Sequence, residues 1–307
     1  MIVKSLRRAR RALVVVAAVW VLAAAHPAGP PVPPDAEEMA MTPSQEPAAA
    51  RPEPAVRPEP AAPDEDTALT QVAGTFNIYG NVGHGGDAGA WIAQEAARLR
   101  TVAPSSGWLS LSLQEVCHNQ GTALARELGM RALFYDTGVT CANGQRYGNM
   151  LLTRGLPLAT YRYTFPTQAD GREQRGAVCA LLAGRLGAVL SCGLHLDSRS
   201  DAVRAAQVRE FLAWRPGGRE LSAYGTVVVG GDFNAEPPHE AMAPMYAVGR
   251  EADGGPTTWR HPTHEDGRKL DYLFTWGRGA GSKWRDGATG TLATPNSDHL
   301  ILYGRLG

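Results

Sequence analysis

A run of four β-branched residues, Thr226–Val229, leads straight into Gly230 and Gly231 and then into Asp232, Phe233 and Asn234, and it narrows the fold more than any other stretch. A short apolar run of this kind predicts a strand buried on both faces. The two glycines let the backbone turn or let a ligand come close. Asp232 and Asn234 are two positions apart, so in extended geometry they project to one side. One offers a negative charge, the other both a donor and an acceptor. An Asx-rich turn closed by Pro237 and Pro238 accounts for the same residues. Taken alone, the stretch leaves a turn and a functional site equally open.

The chain around it divides by composition. Residues 1–25 carry five positive charges, no acid and the apolar run Ala12–Ala25, which predicts a secretory signal peptide with cleavage after Ala25. An apolar run of this length falls short of the ~20 residues that span a bilayer, so an uncleaved anchor is the weaker alternative. Residues 26–66 are proline, alanine and acid, with nine acids against Arg51 and Arg57 and the near repeat RPEPAVRPEP. Such a segment builds no core and predicts a disordered, self-repelling linker. Residues 67–307 form the folded domain and hold a net charge of +2. A balance so near neutral neither argues for a polynucleotide partner nor excludes one.

Within the domain, Val72–Ile78, Trp108–Val116, Arg131–Tyr135, Tyr147–Thr153, Leu270–Trp276 and Leu300–Tyr303 are expected strands, and Ala177–Leu196 an expected hairpin. Ala88–Arg100, Gly121–Leu128 and Asp201–Trp214 are expected helices, and Pro237–Pro262 an expected loop. Strands outnumber helices and several neighbours look hairpin-connected. That pattern suits a mixed-sheet α/β sandwich better than a doubly wound parallel sheet.

Four cysteines in an exported chain predict two disulfides. Gly184–Gly187 reads as a two-residue hairpin turn, which pairs residues whose numbers sum as 184 and 187 do. Cys179 and Cys192 meet that condition and fall in a non-hydrogen-bonded pair, where Cα atoms come within about 4.5 Å and a bridge can form. Elimination then joins Cys117 to Cys141, stapling the segment that follows Glu115.

Acids, amides and histidines recur at strand ends: Asn77, Glu115, Asn149, His195, Asp232, Asn234, Asp271, Asp298 and His299. Each has an ordinary explanation on its own, as a turn cap, a solvated acid or a buried histidine, and Asp271 has Lys269 and Arg268 nearby as ion-pair partners. Together, LQEV, GNMLLTR, HLDS, GGDFNAEP, LDYLF and SDHLIL resemble, in order and approximate spacing, the successive motifs of the endonuclease/exonuclease/phosphatase superfamily, over essentially all of residues 70–305. The resemblance implies an α/β (α+β) four-layer sandwich of two mixed β-sheets flanked by helices, and metal-dependent hydrolysis of phosphate esters. Magnesium is the expected ion, with manganese as the alternative.

It also implies roles. Glu115 is the expected principal metal ligand, with Asn77 and Asp298 completing or orienting the oxygen shell. His299, held by Asp271, is the expected base for the attacking water, and Asp232 holds that water or helps bind metal. Asn234 hydrogen-bonds the phosphoryl oxygens, and His195 donates to them or protonates the leaving group. Asn149 and Arg175 are expected to touch substrate. Gly193 stands where many relatives carry threonine, and no acid near Tyr147 is offered to His195, so the resemblance assigns that histidine no partner. The expected activity is that of a secreted nuclease acting on DNA, as a monomer with no protein partner. A sphingomyelinase-like or phosphoinositide hydrolase, touching membrane lipid through Trp259, Trp276 or Trp284, is the enzymatic alternative. A non-catalytic binding module is the third, less favoured reading.

Overall fold

The computed structural model describes residues 71–307 apart from 172, 186 and 280–282. The expected leader and linker lie outside the described residues. No described helix is long and apolar enough to cross a membrane.

Two six-stranded mixed sheets form the centre of the domain. In the first, the order is β11 (Trp284–Leu292), β12 (Ile301–Leu306), β1 (Gln71–Asn77), β2 (Trp108–Cys117), β4 (Arg146–Thr153) and β3 (Arg131–Thr140). In the second it is β5 (Ala159–Thr164), β6 (Gly176–Gly184), β7 (Gly187–His195), β8 (Thr226–Asp232), β10 (Asp271–Gly277) and β9 (Arg250–Glu251). β1 runs parallel to β2, and β7 parallel to β8. Both parallel pairs therefore end in loops where polar side chains can gather.

Three layers of apolar contact make this a four-layer sandwich. Helices α1 (Trp91–Val102) and α2 (His118–Leu128) pack Ile92, Leu99 and Leu124 against Phe76, Leu111 and Met150 of the first sheet. Helices α3 (Asp201–Ala213) and α4 (Ala243–Val248) pack Val208, Phe211 and Met245 against Leu190, Val229 and Phe274 of the second. Between the sheets lie Ala73, Leu109, Leu151, Val178, Val228 and Leu273. The Ser110 and Ser191 hydroxyls meet across this inner layer at 2.7 Å. Gly193 has a reason of its own here, because a Cβ at that position would fall on the Ser112 hydroxyl. Threonine there would force Ser112 out of its bond with Gln114 Nε2.

The hairpin β6–β7 has the expected register, with Gly184 opposite Gly187 and Cys179 opposite Cys192. Both expected disulfides are present, Cys179–Cys192 with Cα atoms 4.1 Å apart and Cys117–Cys141 at 6.2 Å. The second closes a loop long enough for a crosslink of its kind to contribute about 3 kcal/mol.

Some elements depart from expectation. The Pro237–Pro262 segment is not only a loop: it carries α4 and β9, anchored by buried Met242 and Met245. β5 and β11 were not anticipated. β5 is an edge strand with every second residue exposed, lying between Pro157 and Pro166. β11 contains Gly287 and Gly290, and its register with β12 shifts between Trp284 and Thr289. Trp284 is buried and not free to touch a membrane, and Trp276 is half-buried against the second sheet's core.

Candidate active site

The strand register lines up three site residues before any side chain is considered. His195 ends β7 beside Asp232, the last residue of β8, and Asp232 lies opposite Asp271, the first residue of β10. One row across the second sheet thus holds an imidazole and two carboxylates, all buried. The first sheet contributes Asn77 at the end of β1 and Glu115 near the end of β2.

Hydrogen bonds join the two groups. Asn77 Nδ2 donates to Glu115 Oε1 at 3.1 Å and to Asp232 Oδ2 at 3.1 Å, while its Oδ1 accepts from the Tyr79 amide. That orientation turns the amide hydrogens of Asn77 toward the carboxylates, so it fixes their spacing. His299 Nδ1 is 2.7 Å from Asp271 Oδ2, and its Nε2 points toward Asp232 Oδ2 at 3.9 Å. The loop before β12 is tied to β1 through Ser297, whose hydroxyl donates to the Asn77 carbonyl and accepts from the His299 amide. Asn234 Nδ2 sits 3.1 Å from both His195 Nε2 and the Leu196 carbonyl. Arg175 Nη1 lies 2.5 Å from His195 Nδ1 and 3.0 Å from Glu173 Oε1.

Tyr79, Glu115 and Asn234 are the non-glycine residues with positive φ among the described residues, and all three adjoin this site. Such backbone costs about 1–3 kcal/mol each and persists only where its surroundings enforce it. Asn149, on β4, is buried, and its Nδ2 has no hydrogen-bond partner. β4 pairs with β2, the strand that carries Glu115, and an unpaired buried donor on it is suited to an incoming anionic oxygen. Asp298 stands apart from Glu115's pairing with Asn77: its Oδ2 is 3.7 Å from His264 Nε2, and His264, Asp298 and His299 form one cluster of metal-competent atoms. Asp232, Asp271 and His299 form another. A polar cavity of about 280 Å³ opens beside Glu115, lined also by Tyr147, Glu173, Arg175, Asp197 and Arg199.

Electrostatics separate the two histidines. Burial, then the Arg175 guanidinium, then His299 hold His195 well below the ordinary imidazole range. Its 3.5 Å approach to Asp232 is therefore a neutral contact and not an ion pair. For His299 burial acts downward, but Asp271, Asp232 and Asp298 outweigh it and raise the group to about 10. Burial and the neighbouring Asp271 push Asp232 up to about 7. In the metal-free fold both raised groups bind protons more tightly than an unfolded chain would. His299 then stabilises fully below pH 6.5, and that contribution is lost as pH rises through about 10. The Asp232 contribution is likewise lost as pH rises through about 7. The metal-free domain should lose roughly 5 °C of Tm between pH 7 and pH 10. Calorimetry across that range checks this, and His299→Gln should flatten the slope.

Several supporting residues were not anticipated. Glu95 on α1 is fully buried and accepts from Thr294 Oγ1 and Asn296 Nδ2, both at 2.6 Å, pinning the loop that carries Asp298 and His299. Its signal was available: a charge in the apolar stripe with Trp91, Ile92, Ala96 and Leu99. Thr263 Oγ1 accepts from the Leu270 and Asp271 amides, fixing the entry to β10. Lys269, also fully buried, pairs with Glu251 at 3.2 Å and Asp253 at 3.3 Å, and Arg268 pairs with Asp266. Asp271 is thus left to His299. No local pattern announced His264.

A family model described as Endonuclease/Exonuclease/phosphatase family matches residues 74–299. No curated protein matches the chain in sequence. Among solved structures, a functionally unknown conserved protein from Enterococcus faecalis V583 is 18% identical with a TM-score of 0.60, covering 77% of this chain and 99% of its own. The human Nocturnin catalytic domain with bound sulfate is 20% identical with a TM-score of 0.57, covering 78% and 94%. Truncated Caenorhabditis elegans TDP2 is 17% identical with a TM-score of 0.56, covering 79% and 99%. At such identities the likeness is one of fold.

Proposed function

The chain belongs to the endonuclease/exonuclease/phosphatase family, whose members hydrolyse phosphate esters, and from that premise we propose that it is an exported, magnesium-dependent phosphodiesterase acting on DNA. The observation that carries the reading is the gap of 3.9 Å between Asp232 Oδ2 and His299 Nε2, with Asp271 behind the imidazole at 2.7 Å. A carboxylate able to take a proton faces an imidazolium held by Asp271 there, beside buried donors suited to a phosphoryl group.

The Glu115 carboxylate, oriented by Asn77, is a hard oxygen ligand of the kind a divalent cation takes, while Asp298 stands apart from it beside His264. When bound, it supplies positive charge that polarises the phosphoryl group and offsets charge on the leaving oxygen. The chain's own residues do the rest. Asn149 Nδ2 and the Asn234 amide hydrogen not given to the Leu196 carbonyl bind the phosphoryl oxygens and aim the phosphorus at the gap. Water in the gap gives its proton to Asp232, while Asp271 steadies the His299 imidazolium that faces it. A group raised to about 7, as Asp232 is, suits proton transfer near neutral pH.

Export is supported by the leader expected at residues 1–25 and by two disulfides, which belong to oxidising compartments. The test is a side-by-side panel of plasmid DNA, RNA, sphingomyelin vesicles and phosphoinositide vesicles, each with magnesium and with EDTA. Magnesium-dependent nicking of the plasmid is expected. Turnover of a lipid with DNA untouched would replace DNA as the substrate, and cleavage in EDTA would remove the metal from the mechanism.

A further inference from the structure

His195 is the one site residue for which the sequence offers no partner, and the residue found behind it is a cation. Arg175 is nearly buried, as His195 is, and its Nη1 lies 2.5 Å from His195 Nδ1. A guanidinium has five N–H donors and no acceptor, and it does not deprotonate in proteins. Nδ1 must therefore present its lone pair, which places the single hydrogen of a neutral imidazole on Nε2. A second proton cannot enter at Nδ1 without displacing the guanidinium.

The surroundings of Nε2 lead to the same tautomer and add a use for it. Asn234 Nδ2 is 3.1 Å away, but it is itself a donor and has the Leu196 carbonyl to bond at the same distance. The acceptor left for the Nε2 hydrogen is Asp232 Oδ2, at 3.5 Å, longer than a good hydrogen bond. The free site thus holds a buried donor with a poor acceptor, aimed where a phosphoryl oxygen would bind. The charged and titratable groups facing this ring are Arg175, with Glu173 behind it, and Asp232 and His299.

We propose that Arg175 is a positioning residue that locks His195 as a neutral Nε2–H donor, so that His195 hydrogen-bonds a phosphoryl oxygen of the substrate and transfers no proton. This rests on the phosphodiesterase reading and divides the two histidines by what stands behind them: an aspartate makes His299 a proton carrier, and an arginine makes His195 a fixed dipole. In the hydrolysis, water forms the new P–O bond and gives its proton to Asp232. The old P–O bond breaks with its electron pair on the leaving oxygen, which takes a proton from solvent, while the imidazole keeps its own. Arg175, expected from sequence to bind substrate, acts through His195 instead.

The experiment is nitrogen-15 NMR of the histidine-labelled wild-type domain, with His195 assigned by its absence in His195→Gln. The expected result is an Nε2–H tautomer with a hydrogen-bonded, unprotonated Nδ1 and no titration between pH 5 and pH 8. A His195 that titrates in that range, or carries its hydrogen on Nδ1, overturns the proposal. Neither outcome depends on turnover, so failure of the phosphodiesterase reading would be seen separately as an inactive enzyme with the tautomer intact. In Arg175→Met the tautomers should mix, and kcat should fall about 10²-fold with KM within about threefold. Arg175→Lys should recover part of kcat and the tautomer. An Arg175→Met variant with KM raised and the wild-type tautomer unchanged would make Arg175 a substrate ligand and sink the assignment.

Discussion

Replacing His299 by alanine should lower kcat/KM on bis(p-nitrophenyl) phosphate by about 10³-fold, in line with the loss of a positioned proton-transfer group. The imidazole is the element between Asp271 at 2.7 Å and Asp232 at 3.9 Å. Asp271→Asn should reproduce much of the loss, about 10²-fold, because the amide cannot stabilise an imidazolium. Since Asp271 Oδ1 is buried without a partner, the carboxylate has one strong neighbour, and its removal acts mainly on His299. Steady-state kinetics with Tm measured alongside decides the matter. A loss under tenfold in His299→Ala, with the fold intact, would take the imidazole out of the mechanism.

Glu115→Gln should be comparably severe. The side chain keeps its shape and its bond from Asn77 but loses the charge that attracts a divalent ion. Activity should fall about 10³-fold, the scale of a few kcal/mol of lost charge stabilisation. Titration calorimetry with magnesium should show the heat of binding reduced or gone, while the metal-free Tm stays near that of wild type. Full activity in the variant would place the cation elsewhere, with the His264, Asp298 and His299 cluster the next site to test.

What was legible in the sequence was whatever depends on local spacing. Alternation and glycine placement marked β8 and its two polar exits, and a two-residue turn fixed the register that joins Cys179 to Cys192. Strand ends were legible as a set, because chemistry-bearing residues kept falling there. Long-range partners were not. Arg175 and His195 are 20 positions apart and meet only because β6 and β7 pair, and Glu95 reaches Asn296 across 201 positions. Lys269 looked like a partner for Asp271, yet its ammonium lies between Glu251 and Asp253 and reaches only the Asp271 carbonyl. β11 was obscured by its glycines, which lower strand propensity where a register shift needs them.

The left-handed backbone at Tyr79, Glu115 and Asn234 bears on how such a protein would respond to selection. Glycine adopts this conformation without strain, so Glu115→Gly and Asn234→Gly would relax the fold while deleting two functional side chains. A library screened for heat resistance alone would enrich inactive variants at these positions. Thermal improvement of a working catalyst has to come from elsewhere in the sandwich, with these loops held fixed during screening.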